Sequence, residues 1–232
     1  MLPIKNLLCI ASTIAICVAN YNTANASTDG KAYIAGSYGI GVANKFNYDP
    51  DLTIERPKNS QIFGVAFGYQ FNDNIRAELA VNNFNNFKYK NYNQLDDEDG
   101  NHQDNYFYQK ISSNSLFANF YYDVNKFEKF KPYLSIGVGV SQNKSGNFNR
   151  KAIDNGEIED NHTLYQKSSK KQFAWNVGAG ISYEVNNKVT LDLVNYKYYD
   201  LGKTSTKPDE VGDSMKSKLK VHSITTGIRI KI

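Results

Sequence analysis

The chain has 232 residues, with 27 Lys and Arg against 23 Asp and Glu and a formal net charge of +4. That excess of base is too small for a charge-driven nucleic-acid binder. The two cysteines, Cys9 and Cys17, both fall in the first 26 residues, which excludes a disulfide framework, a zinc–thiolate site or a cysteine nucleophile in everything after them.

The N-terminus reads as an export signal. Lys5 supplies the basic start, Leu7 to Ala19 a short apolar core, and Ala24-Asn25-Ala26 a small-residue cleavage site. Residues 1–26 are expected to be removed, leaving a mature domain over 27–232. The loss of Lys5 and of no acid lowers the formal charge from +4 to +3. A lipoprotein would need a small residue before its acylated cysteine, whereas Leu8 precedes Cys9 and Ile16 precedes Cys17.

Eight segments then alternate bulky apolar with small or polar residues. They run from about Ala32 to Val42, Gln61 to Phe71, Ile75 to Phe87, Ser115 to Val124, Lys131 to Gln142, Gln172 to Val185, Val189 to Tyr199 and Lys218 to Ile232. In the second, Phe63, Val65, Phe67, Tyr69 and Phe71 share one strand face, and Gly64, Ala66, Gly68 and Gln70 share the other. A soluble barrel would carry charge on its outer face, not a track of Gly and Ala. In a narrow membrane barrel lipid accepts the large side chains and the crowded interior needs small ones. After the signal no stretch approaches the roughly 18 apolar residues of a spanning helix, so membrane residence implies a closed barrel.

The links between segments alternate in length. Asn72-Asp73-Asn74, Asn125 to Phe130 and Asn186-Asn187-Lys188 are short turns, expected on the periplasmic side. Four long polar loops, about Asn44 to Ser60, Lys88 to Asn114, Asn143 to Lys171 and Gly202 to Ser217, should face outward. Tyr69, Phe71, Tyr121, Tyr122, Phe173, Trp175 and Tyr196 to Tyr199 lie near proposed strand ends, where an aromatic girdle belongs. The expected fold is therefore all-β: an eight-stranded antiparallel up-and-down transmembrane barrel.

Strand parity sends Arg76, Glu78, Glu184, Asp192, Arg229 and Lys231 inward. Charges of both signs in so small an interior should pair, and Arg76, Glu78, Glu184, Asp192 and Arg229 are expected to form a network that closes the lumen. Eight strands leave an interior just filled by side chains, with no wide channel.

Catalytic candidates are few. His222 and Ser223 are adjacent on the last strand and so point to opposite faces, which disfavours proton transfer between them. His102 and His162 sit in polar loops. The run Asp96-Asp97-Glu98-Asp99-Gly100 fails as a calcium loop, since aligning Gly100 at the sixth position puts Leu95 first and Tyr106 twelfth, where oxygen ligands are required. No catalytic residue, cofactor or metal is expected. Asn143-Lys144-Ser145 and Asn161-His162-Thr163 match a glycosylation sequon without weight in a bacterial protein.

The signal ending in Ala24-Asn25-Ala26, the opening Tyr33-Ile34-Ala35-Gly36-Ser37-Tyr38-Gly39, the glycine-rich Tyr133-Leu134-Ser135-Ile136-Gly137-Val138-Gly139 and the closing strand to Ile232 resemble the small outer-membrane β-barrel superfamily of opacity, OmpX and OmpA types. The Asn-, Lys- and Tyr-heavy composition is similar to that of surface antigens and adhesins of rickettsia-type bacteria. The resemblance implies an outer-membrane protein whose external loops attach to host cells or capture serum or extracellular-matrix proteins, set in outer-membrane lipid by the barrel assembly machinery. Such barrels usually end in an aromatic residue, and this one ends in Ile230-Lys231-Ile232. Within the two longest loops, Tyr89, Tyr92, Tyr106, Tyr108 and Tyr165 are the candidate contact residues, because tyrosine offers rigid apolar area with a hydrogen-bonding tip. A structural barrel or narrow porin, and a lipid-modifying enzyme, are the alternatives.

Overall fold

The computed structural model describes residues 31–44, 46–49, 52–54, 57, 59–96, 102–124, 128–154, 157–208, 214 and 216–232. The export signal expected over residues 1–26 lies outside them, as do Asp97 to Gly100 of the acidic run and 125–127 of the second short turn. The described strands are β1 (Lys31–Ala43), β2 (Phe46–Asp49), β3 (Leu52–Ile54), β4 (Ser60–Gln70), β5 (Ile75–Asp96), β6 (His102–Asp123), β7 (Phe130–Ser145), β8 (Phe148–Asp154), β9 (Glu157–Tyr165), β10 (Ser168–Glu184), β11 (Val189–Ser205) and β12 (Lys216–Lys231). No helix among the described residues is long and apolar enough to cross a membrane.

Eight of these strands form a ring. The antiparallel ladders β1–β4, β4–β5, β5–β6, β6–β7, β7–β10, β10–β11, β11–β12 and β12–β1 return to their starting point, so the sheet has no free edge around the barrel. The eight expected segments map onto β1, β4, β5, β6, β7, β10, β11 and β12. At the two tight turns Asn72 and Asn186 each accept backbone N–H bonds from residues two and three positions on, the Asx geometry that closes a short link.

The outer surface is apolar. Val65, Val81, Leu116, Val140 and Phe173 are register neighbours across β4, β5, β6, β7 and β10, and Ile34, Phe67 and Leu79 form a parallel row. Phe173 keeps 67% of its surface exposed, as a side chain meant for lipid should. Small residues line the interior because large ones face them: a Cβ at Gly68 would collide with the Tyr33 ring, and one at Gly137 with Asn119.

Two of the predicted loops are strands. The segment from Lys88 to Asn114 continues the β5–β6 ladder unbroken to Asp96↔His102. The segment from Asn143 to Lys171 holds β8, which takes over from β7 as partner of β6 after Gly146-Asn147, and β9, which pairs with β8. Two neighbouring barrel strands, β5 and β6, thus rise beyond the ring and continue with β8 and β9 as one sheet, β5–β6–β8–β9, which forms a tall wall on one side. Residues that leave a bilayer meet water on both faces and no longer need an apolar alternation, while the backbone ladder carries on. The first long link contains the small β2–β3 pair, and β11 extends to Ser205 in the fourth.

The lumen has two layers. Ionic groups fill the end near the short turns. Above them Tyr199 packs between Phe84 and Phe117, with ring centroids 5.0 and 5.6 Å away, in a core that continues through Ile62, Ala174, Val221, Phe87, Ile111, Leu201 and Leu219. Ion pairs alone were expected to close the barrel; an apolar plug closes its upper half as well. The plug depends on an irregularity between Phe84 and Phe87, where Asn86 adopts φ 42°. That bulge turns two side chains three residues apart to the same inner face.

Candidate functional site

Two regions hold the residues singled out from the sequence, the lumen and the tall wall. In the lumen Arg76 is 1% exposed. Its Nε donates to Asp123 Oδ2 at 2.9 Å and its Nη1 to Glu78 Oε1 at 2.9 Å. Its guanidinium lies 3.7 Å from the centre of the Tyr121 ring. Tyr33 donates to Glu78 at 2.8 Å, and Lys197 Nζ donates to the Tyr121 hydroxyl at 2.9 Å. The other three residues are elsewhere. Arg229 pairs with Asp192 at 3.0 Å, and Glu184 binds Lys131 at 2.6 Å and Lys231 at 3.5 Å nearer the short turns.

The five expected partners therefore form three ion-paired groups, the first two joined through Tyr33, whose ring centre lies 6.0 Å from the Arg229 guanidinium. Asp123, Lys197, Tyr33, Tyr121 and Lys131 complete them and were not expected in the network; Tyr121, expected in the aromatic girdle, is instead 6% exposed and turned into the lumen. Parity contained the signal, since Asp123 follows Asn119 and Tyr121 at even spacing on the inner face of β6. Among the described residues the apolar plug lies between these groups and the upper end of the barrel.

The wall sorts the five candidate tyrosines. Tyr92, Tyr106 and Tyr108 lie on its outward face, 50, 38 and 39% exposed. Tyr92 and Tyr106 are cross-strand partners with rings 5.2 Å apart, and Tyr108 stands opposite Lys90. The Tyr92 hydroxyl donates to Asp104 at 2.6 Å. That carboxylate favours the neutral phenol and pushes its pKa up to about 12. Tyr89 is turned inward at 2% exposure, its hydroxyl on the Asn44 carbonyl, and Tyr165 packs against Phe148 on the inner side. These two are corrected from contact residues to packing residues. Strand parity decides this: Tyr89 has the opposite parity to Tyr92.

The inner side of the wall is built by Phe107 stacked on Phe148, with centroids 5.7 Å apart and planes inclined by 12°. Gln109 donates to Ser145 and Gly146, at the step where β8 replaces β7. The result is a tyrosine patch on a hydrogen-bonded sheet. On β12, His222 faces outward and its Nδ1 lies 2.8 Å from the Tyr196 hydroxyl. Ser223 is buried and donates to the Lys197 carbonyl, so this histidine and serine sit on opposite faces of β12. The side chains of His102 and His162 lie outside the described residues.

Sequence comparison agrees with this architecture. The chain is 28% identical over 203 residues to the outer membrane protein PagN of Salmonella typhimurium, covering 79% of this chain and 80% of the relative. It is 34% identical over 73 residues to a 31 kDa outer-membrane immunogenic protein of Brucella melitensis, an overlap of 32% of this chain and 30% of that one. The crystal structure of Neisserial surface protein A matches with a TM-score of 0.51 at 17% identity, over 87% of this chain and 97% of that chain, a likeness of fold. The model of the outer membrane protein beta-barrel domain matches residues 9–230. The chain belongs to that family, and it is an outer-membrane surface protein with its long connections exposed to the exterior.

Proposed function

We propose that the protein is an adhesin, and a surface antigen by the same exposure, that binds a host-cell receptor or a serum or extracellular-matrix protein through the outward face of the tall wall. Residues 1–26 serve as its export signal and 27–232 as the mature barrel, set in outer-membrane lipid by the assembly machinery. Tyr92, Tyr106 and Tyr108 are its contact residues. One observation carries this reading: three exposed tyrosines stand together on a sheet that continues the barrel wall. A surface held by cross-strand hydrogen bonds loses little freedom on binding, so more of the contact energy is left for affinity. The apolar plug favours this role over that of a pore.

The experiment compares attachment of cells carrying the parent, the triple variant Tyr92→Ser/Tyr106→Ser/Tyr108→Ser, and a chain in which residues 91–107 are replaced by an Asn-Gly turn. Folding is checked by the gel shift between boiled and unboiled samples. Both variants should fold, and attachment should fall about tenfold or more, in line with the loss of clustered aromatic anchors. Attachment at the parent level by two folded variants would overturn the adhesin reading.

A further inference from the structure

Two pairs of tyrosines have their rings in contact among the described residues. Tyr121 and Tyr133 are buried in the lumen. Tyr92 and Tyr106 stand exposed on the outward face of the wall, directly opposite each other in the β5–β6 ladder, with centroids 5.2 Å apart and planes inclined by 48°. The exposed pair is of the close kind. Tyr92 turns its backbone N–H to the Asn91 side chain, and the Lys110 carbonyl, of the same parity as Tyr106 on β6, accepts from Gly146 on the far side of that strand. Tyr92 and Tyr106 are therefore a non-hydrogen-bonded pair, the arrangement that brings opposite Cα atoms to about 4.5 Å and side chains closest together.

Two phenols held face to face in the open can be coupled by an oxidant that takes one electron at a time. A phenol that loses an electron becomes strongly acidic, so a base already bonded to it receives the proton in the same event and lowers the barrier. Tyr92 has that base: its hydroxyl donates to Asp104 at 2.6 Å. The site also sits where a covalent tie has something to hold. Among the described ladders β5 leaves β4 at Ile62↔Phe84, and beyond that point it pairs with β6 alone. A bond between the two arms would restrict the opened state of this hairpin as a disulfide does. Neither ring belongs to the apolar plug or to the ionic groups of the lumen, so the barrel below keeps its packing when they react.

We infer that Tyr92 and Tyr106 are a modification site, where hydrogen peroxide and a haem peroxidase join the two rings as a dityrosine that locks the outer part of the β5–β6 hairpin. One electron and one proton leave each phenol, the Tyr92 proton going to Asp104 and the Tyr106 proton to water. The two phenoxyl radicals form a carbon–carbon bond between the ring positions next to the oxygens, and the hydrogen on each coupled carbon moves to its oxygen and restores the phenol. In sum the pair loses two electrons and two protons, which reduce one hydrogen peroxide to two waters. The buried Tyr121–Tyr133 pair is out of reach of such an enzyme. The site goes beyond the adhesin reading and does not depend on it, because the bond forms whether or not the wall binds a host protein.

The test treats the folded barrel in phosphatidylcholine nanodiscs with hydrogen peroxide and a haem peroxidase. The monomer band is digested with trypsin, which cuts at Lys90 and Lys110 and releases both tyrosines in one peptide, and then after Glu98, which lies between them. In the parent the two halves should stay joined, lighter than their sum by two hydrogen atoms. Tyr92→Phe and Tyr106→Phe should each abolish the joined product, and Tyr108→Phe should leave it at the parent level. Coupling should run about tenfold or more faster in the folded barrel than in the free peptide of residues 91–110, because the ladder holds the rings together. Asp104→Asn should slow it severalfold and Asp104→Glu should restore it. Halves that separate in the parent while Tyr92 is consumed, a link that maps to Tyr108, links between molecules with none inside the monomer, equal rates in barrel and peptide, or a rate unchanged by Asp104→Asn would each overturn the site.

Discussion

Replacing Arg76 with Met is the most demanding test of the lumen. The substitution keeps most of the side-chain volume but removes the cation between Glu78 and Asp123, whose side chains are 7 and 4% exposed. It also removes the stacking on Tyr121 at 3.7 Å. Two carboxylates would then share an interior sealed by the plug above them. Breaking a buried pair in this way costs about 3–5 kcal/mol, most of it from the charge left uncompensated. Urea-dependent unfolding in lipid vesicles, followed by the boiled and unboiled gel forms, measures the loss. In the triple variant Arg76→Met/Glu78→Gln/Asp123→Asn the stranded charges are gone, and about 2 kcal/mol should return. A loss below about 1 kcal/mol for Arg76→Met would refute the claim that this cluster is dry and mutually dependent.

Phe67→Arg places a cation in the middle of the lipid-facing band, beside Ile34 and Leu79, and should cost about 2–4 kcal/mol in vesicle refolding, whereas Asn83→Arg, on the outward side where Asn83 is bonded to Asn114, should cost about 0–1 kcal/mol. Planar-bilayer recordings of the parent should show no steady conductance. Phe84→Ala combined with Phe117→Ala should introduce small flickering currents, and large stable currents from the parent would mean that the plug does not seal. Asp104→Asn removes the carboxylate that holds the Tyr92 phenol neutral, so phenolate should form at lower pH than in the parent, where the pKa is about 12. Ultraviolet titration against a Tyr92→Phe background reads that difference, and an unchanged curve would show that the Tyr92–Asp104 bond is absent in solution.

The belt was legible because lipid enforces period two on every residue it touches. Phe63 and Val65 outside and Gly64 and Gly68 inside could be assigned from spacing alone. The Arg76–Glu78 pair was legible for the same reason, as residues two apart share a face. The wall was not, since Lys88-Tyr89-Lys90-Asn91-Tyr92 meets water and carries no apolar rhythm, and its pairing comes from a ladder begun inside the membrane. The plug was hidden by Asn86, whose positive φ shifts parity after Phe84. The Asn85-Asn86 dipeptide was a hint, because asparagine tolerates the left-handed region better than most residues do. Lys197 was missed because its partner is the Tyr121 hydroxyl, which a search for opposite charges overlooks.

The continuity of β5 and β6 also bears on mechanics. From the described tip pair Asp96↔His102 to the ends at Ile75 and Asp123, each arm is a single covalent strand with no intervening hinge or domain linker. Tension applied at the tip runs along peptide bonds into the part of the barrel held by lipid, and the ladder hydrogen bonds serve to keep the two arms aligned rather than to bear the load. Pulled from this point, the molecule should resist until the barrel itself gives way, so the membrane-embedded ring sets the strength of any attachment made at the tip.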